Sequence, residues 1–301
     1  MTPSRARGLL LAGLTSLLWG TVPVAVKIAL PGFSPARLSF VRLLAGGALL
    51  GAVVRGFRRD ARPPLAAAAL GGLGLAANYA LFAWGVALEG AGTSQILIQL
   101  ASLFLVVLSV ALLGERPSPR QYAGAALAVG GAVLVKCGAA SGGERGPWGV
   151  VVLMVAGLSW ACYAVVHKRL GRTHRSGGSM TWILLAAGLF SAPAAALAPR
   201  QVPDAVEIGA AAFLVINTVI AYWAFAEALR HVDASEAAVV TTLGPVFTVI
   251  ALALAQGVGW GRIGSEPLTW NKLLGAGGVV AGVMLVVTSR RKPGRVPPVP
   301  S

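Results

Sequence analysis

The sequence predicts an all-α polytopic membrane protein, with ten transmembrane helices arranged as two inverted five-helix repeats. Three observations carry that prediction. The chain is 56% apolar and 12% charged over 301 residues, with a mean hydropathy of +0.76, whereas a soluble domain is about a quarter charged. Apolar runs close to the 20 residues that cross a bilayer recur ten times. The stretch "LLWGTVPVAVK" (17–27) returns as "LSWACYAVVHK" (158–168), with its Trp and Lys at the same spacing and an offset of 141.

The spans are expected at 8–30, 36–54, 65–88, 93–113, 121–137, 147–167, 178–197, 206–229, 235–255 and 271–288. Helices are the expected form, because each backbone N–H and C=O must find its partner within the segment when lipid surrounds it. The first span holds Trp19 and Pro23 and ends at Lys27. The second opens on Ser34–Pro35 and carries Arg42 about two turns in. The third holds Asn78 and Trp84, and the fourth Gln99. The sixth repeats the first, with Trp160, Tyr163 and Lys168. Pro193, near the end of the seventh, reads as a plain kink. The eighth repeats the third, with Asn217 and Trp223 and the added Tyr222. The ninth holds Thr241, Thr242 and Pro245.

The second half matches the first along its length. "LLAGG" (43–47) pairs with "LLAAG" (184–188) at 141, Asn78…Trp84 with Asn217…Trp223 at 139, and "ERPSPRQYAGA" (115–125) with "EPLTWNKLLGA" (266–276) at 151. The growing offset needs an insertion, which "GVGWGRIG" (257–264) supplies. The organisation read from this is a first repeat over 1–137, a connecting loop at 138–146, a second repeat over 147–288 and a basic, Pro-rich cytoplasmic tail at 289–301. Five spans per repeat is odd, so the second half enters the membrane upside down, the layout of secondary transporters.

Charge sets the orientation. With the N-terminus inside, seventeen Lys and Arg fall on the inner side, among them Arg5, Arg7, Arg55, Arg58, Arg59 and Arg230. Only Lys136, Arg145, Arg200, Arg262 and Lys272 fall on the outer side. The positive-inside rule then puts both termini in the cytoplasm. The net charge of +15 is accounted for by these topology signals. With no aromatic residues interleaved among the basic clusters, nucleic acid is excluded as a partner. Cys137 and Cys162 form no metal or redox motif, the three histidines form no cluster, and there is no Walker motif. No catalytic set, metal site or cofactor is expected, and the first apolar run is too long for a cleavable signal sequence.

"LLWGTVPVAVK" followed by "SPARLSFVRLLAGG" resembles the start of an EamA-type member of the drug/metabolite transporter superfamily. "LGPVFTVIALAL" (243–254) and "EPLTWNKLLGAGGVVAGVMLVV" (266–287) resemble the end of the second EamA repeat. The resemblance spans residues 8–288. It implies a multi-pass carrier of the prokaryotic plasma membrane, with a central cavity between inverted halves, exporting small metabolites such as amino acids, their derivatives or toxic amphipathic compounds. The chain departs from the repeat pattern at Ser102, which stands where the ninth span has Pro245, and at "LAQGVG", where the fourth span ends in Gly114–Glu115.

The residues that could carry transport follow. Pro23 and Pro245 cannot donate to the carbonyls of Trp19 and Thr241, so each marks either a static kink or a hinge. Asn78 and Asn217, midway along their spans, either bond a neighbouring helix or meet a polar solute, and Gln99 and Thr241 share that choice. Trp19, Trp160, Tyr163 and Tyr222 lie too deep for an interfacial belt. They either pack the core or wall a cavity whose ring faces attract ammonium groups. Arg42 has no acid in its stretch; it either snorkels or contacts a carbonyl, or else holds a carboxylate or orients a half-helix. Lys27 and Lys168 anchor opposite ends of equivalent helices or guard the mouths. The small residues Gly278–Gly282 and Ala126–Gly130 pack within the bundle or pair two protomers in a homodimer through the fifth and tenth spans. Alternatives to an exporter are an uptake carrier of the same fold and a membrane-embedded enzyme; the latter would want buried acid or histidine clusters, which are missing.

Overall fold

The computed structural model describes residues 3–58, 61–113, 118–137, 148–170, 174, 176–228, 230–232, 237, 240–257, 263 and 269–288. The expected loop at 138–146, the tail at 289–301 and most of the 257–264 insertion lie outside these. The described residues form helices α1 (Pro3–Ala29), α2 (Pro35–Val53), α3 (Leu65–Glu89), α4 (Ala91–Ile98), α5 (Ala101–Leu113), α6 (Pro119–Cys137), α7 (Trp148–Leu170), α8 (Ser176–Leu197), α9 (Ala205–Ala228), α10 (Gly244–Gly257) and α11 (Trp270–Thr288). No strand occurs among them.

Local chemistry sets several ends. Ser34 caps α2 by accepting from the Arg37 N–H, with Pro35 in the first turn, where its missing donor costs nothing. Reciprocal capping boxes start two more helices. Ser118 and Gln121 exchange side chain-to-backbone bonds at α6. At α9, Asp204 Oδ1 accepts from Glu207 N while Glu207 Oε2 accepts from Asp204 N. Gly90, at φ 83°, turns the chain from α3 into α4.

Seven helices, α1, α2, α3, α7, α8, α9 and α11, are long and apolar enough to cross a membrane. The fourth expected span is not one rod. It is α4 and α5 with a break at Gln99–Leu100, where Gln99 and Leu100 donate to Ile96 and Leu97 in tight turns. The ninth breaks as well. Residues 242 and 243 form a turn and α10 starts at Gly244. Pro245 therefore occupies the second position of α10, where a missing N–H is harmless, rather than a point midway along a continuous helix. The Thr241 carbonyl, which Pro245 cannot serve, accepts from Ser16 Oγ at 3.3 Å. Pro23, by contrast, sits inside an uninterrupted α1.

The strongest packing pairs are α6 with α11, α3 with α7, α2 with α8, and α1 with α9, followed by α3 with α8 and then by α1 with α10 and α5 with α7. Each joins the first half of the chain to the second. A large apolar core runs between these pairs through Leu38, Leu97, Leu153, Leu214 and Val283. The α6–α11 contact depends on missing side chains. A Cβ on Gly131 would lie 2.6 Å from the Gly275 carbonyl, and one on Gly282 2.5 Å from Ala128 N. Gly278 and Gly282 are thus used within one chain, against Gly124, Ala128 and Gly131 of α6, while Ala126 and Gly130 face outward with Gly130 in open space.

Candidate substrate cavity

Two adjoining hollows lie inside the bundle. The inner cleft, about 170 Å³, is lined from the first half by Trp19 and Val22 (α1), Arg42 (α2), Asn78, Tyr79 and Phe82 (α3), Gln95, Ile98 and Gln99 (α4 and its break), and Ala101 and Ser102 (α5). From the second half it takes Trp160 (α7), Tyr222 (α9) and Thr241. The outer vestibule, about 680 Å³, runs past Tyr163, His167, Met180 and Phe225 to the face that carries Arg55, Arg58, Glu227 and Arg230. Trp19, Trp160 and Tyr222 line both hollows. They stand where one passes into the other.

Aromatic contacts hold this junction. Trp19 meets Tyr222 edge-on at 6.2 Å and Phe225 at 5.4 Å, and Trp160 meets Tyr163 edge-on at 6.4 Å. Such offset geometries are the favoured ring arrangements. The Tyr163 hydroxyl donates to Met180 Sδ at 3.1 Å, so Tyr163 belongs to the vestibule wall and not to the cleft.

Arg42 is 5% exposed. Its guanidinium lies over the Tyr79 ring, 4.5 Å from the centroid, and Nη2 donates to Thr218 Oγ1 at a long 3.4 Å. Its Nε is buried with no hydrogen-bond partner. The cleft's described lining contains no Asp or Glu. The snorkelling alternative for Arg42 does not describe this side chain, because α2 buries it among α3 and α9 instead of letting it run to an interface.

The two asparagines part company. Asn78 lines the cleft and also donates to the Ala156 carbonyl of α7 at 2.9 Å. Asn217, 2% exposed, donates to Leu18 O at 2.8 Å and to Thr21 Oγ1 at 3.3 Å, and lines neither hollow. Its side chain ties α9 to α1. Gln99 and Thr241 are at the cleft, each beside a helix break. Pro23 is buried one turn beyond Trp19, and Pro245 is buried behind the break, where Gly244 backs onto Gln95. Lys168 is in the last turn of α7 beside the vestibule face, Lys27 in the last turn of α1 at the far end of the bundle, and neither lines a hollow.

Among the lining residues that escaped the sequence reading are Tyr79, Phe82 and Gln95 at the cleft and Met180 and Phe225 in the vestibule. Gln95 did leave a signal, since Gln95 and Gln99 are four apart and share a helix face. Glu227 at the vestibule rim accepts from Arg230 Nη1 at 3.0 Å and contacts His231 at 3.3 Å and Arg7 at 3.7 Å, joining the start of α1 to the end of α9.

These features define a class: a multi-pass helical membrane protein with a solute-sized internal cleft at interrupted helices. The EamA-like transporter family model matches the chain twice, over residues 6–137 and 147–288, and the chain belongs to that family. The uncharacterized inner membrane transporter YhbE of Escherichia coli K12 is 29% identical over 94% of this chain and 92% of its own. A probable terminal-alkyne amino-acid exporter of Streptantibioticus cattleyicolor is 30% identical over 94% of this chain and 93% of its own. One solved crystal structure superposes with a TM-score of 0.67 at 23% identity, over 94% of this chain and 97% of that one, a likeness of fold alone. The protein is a membrane transporter, like bacterial inner membrane relatives in class.

Proposed function

We propose that the protein exports small amphipathic metabolites, among them amino acids or their derivatives, across the plasma membrane by alternating access. The observation that carries this reading is the cleft itself. Both halves of the chain wall it, it lies beside the breaks after α4 and before α10, and backbone that departs from helix at membrane depth is tolerated where it lines a cavity. The packing supports two inverted repeats, since α1 packs on α9 and α10 as α7 packs on α3 and α5. The vestibule opens onto the face bearing Arg55, Arg58 and Arg230, which the positive-inside rule makes cytoplasmic. A solute then enters from inside, meets Trp19, Trp160 and Tyr222, and reaches the cleft. Outward release follows from rocking one half against the other, with Pro23 and the break before Pro245 as hinges. The name of the Streptantibioticus relative favours export of an amino-acid-like solute.

The test uses intact bacteria producing the chain and loaded with labelled dipeptides that hydrolyse to free amino acids inside. Efflux faster than in empty-vector cells is expected for at least one amino acid. Faster uptake of external label with no gain in efflux would replace export by import.

A further inference from the structure

We propose that Arg42 is the receptor for a carboxylate on the transported solute, and that the carboxylate, not an ammonium group, is the charge the cleft selects. The proposal rests on the transport reading above and sharpens it to a substrate class: compact monocarboxylates with an apolar body.

Arg42 is short of hydrogen-bond acceptors. A guanidinium carries five N–H donors in a planar fork. In this protein one hydroxyl, Thr218 Oγ1, accepts at 3.4 Å, and Nε is buried with no acceptor. No carboxylate among the described residues forms a salt bridge with it, and none lines the cleft. The Tyr79 ring at 4.5 Å offers its face to the cation but takes no N–H in the guanidinium plane. A buried cation in that condition is costly in a membrane interior. A bidentate carboxylate would meet both needs, the unmade hydrogen bonds and the uncompensated charge.

The surroundings fit the same ligand. No Asp or Glu stands in the cleft's described lining to repel a carboxylate. The opposite end of a zwitterion finds nothing comparable. With no lining Asp or Glu, an ammonium group would have ring faces and amide oxygens only, so it adds little to recognition. The apolar body is served by Trp19, Phe82 and Trp160.

The test measures thermal stability of the full chain in nanodiscs, read by tryptophan fluorescence, against 3-phenylpropionate, L-phenylalanine, phenylalaninamide and phenethylamine, together with isovalerate and isopentylamine. The two phenyl carboxylates and isovalerate are expected to stabilise at concentrations about tenfold lower than the amide and the amines, the advantage of a paired charge-assisted contact. This ranking needs no variant. Arg42→Lys should keep the preference in weaker form, because the charge remains while the fork is lost, and Arg42→Gln should abolish it. The proposal is overturned if the amide or an amine matches the acids, if no acid stabilises the parent, or if folded Arg42→Gln still prefers acids. The two readings fail separately. Acid binding without efflux from loaded cells removes transport and leaves the site, whereas efflux of amines with no acid preference removes the site and leaves transport.

Discussion

Replacing Gly282 with Ala adds one methyl group, and the structure says where it goes. The new Cβ would lie 2.5 Å from both Ala128 N and Gly124 O and 2.8 Å from Ala128 Cβ. Ordinary contact begins near 3.4 Å, so α6 and α11 would have to part by roughly 1 Å, and two of the three obstacles are backbone that no rotamer change can move. Overpacking of this kind costs about 1–3 kcal/mol. The gain in helix propensity from Gly to Ala, up to about 1 kcal/mol in water, offsets part of it. Gly130→Ala is the control: it gains the same propensity and meets nothing within 4 Å. Thermal unfolding in detergent at one fixed scan rate should therefore place Gly282→Ala several degrees below Gly130→Ala, with Gly130→Ala at or above the parent. Equal midpoints for the two variants would mean that α6 and α11 do not approach as closely as described, and would refute the reasoning.

Other outcomes follow from the same geometry. Asn217→Ala should cost about 0.6–1.7 kcal/mol, the range for interhelical bonds in membranes, and leave solute preference unchanged; altered selectivity at parental stability would put its side chain in the cleft. Asn78→Ala should change both the melting midpoint and the solute ranking, since its amide bonds Ala156 O and also lines the cleft. Pro23→Ala restores a donor for the Trp19 carbonyl and should raise or hold the midpoint while slowing flux several-fold; unchanged flux would make Pro23 a static kink. Thr248→Val removes the 2.6 Å bond to Gly20 O and should cost about 1 kcal/mol, read as a lower midpoint.

What the sequence made legible, and what it did not, has physical reasons. Long apolar runs announce helices because a bilayer leaves the backbone no other closed arrangement, and cap signals such as Ser34–Pro35 locate their starts. The break in the fourth span was hidden. Gln99–Leu100 contains neither Gly nor Pro, so nothing local marks it, and Gln95 and Gln99 are seen beside Gly244 only once α4 and α10 meet. The break in the ninth span was half visible, since Pro245 marked a disturbance but belongs to the start of α10. At the cleft, Trp19 and Trp160 stood out by their depth and spacing. Tyr79 did not, because an aromatic residue in an apolar run has no signature until the third dimension places Arg42 over it. Asn217 shows the converse: it matches Asn78 in sequence, yet Leu18 O and Thr21 Oγ1 are near enough to satisfy its amide nitrogen within the α1–α9 seam.

The central claim is that solute passes between Trp19 and Trp160. The most direct test is counterflow in proteoliposomes, comparing the parent with the Trp19→Ala/Trp160→Ala double variant against a panel of amino acids, nucleosides and organic cations. The account predicts that the parent exchanges an amino-acid-like solute and that the double variant, inserted to the same level, loses most of that exchange or changes its preference. A double variant that exchanges every solute as the parent does would contradict it and leave the two rings as packing.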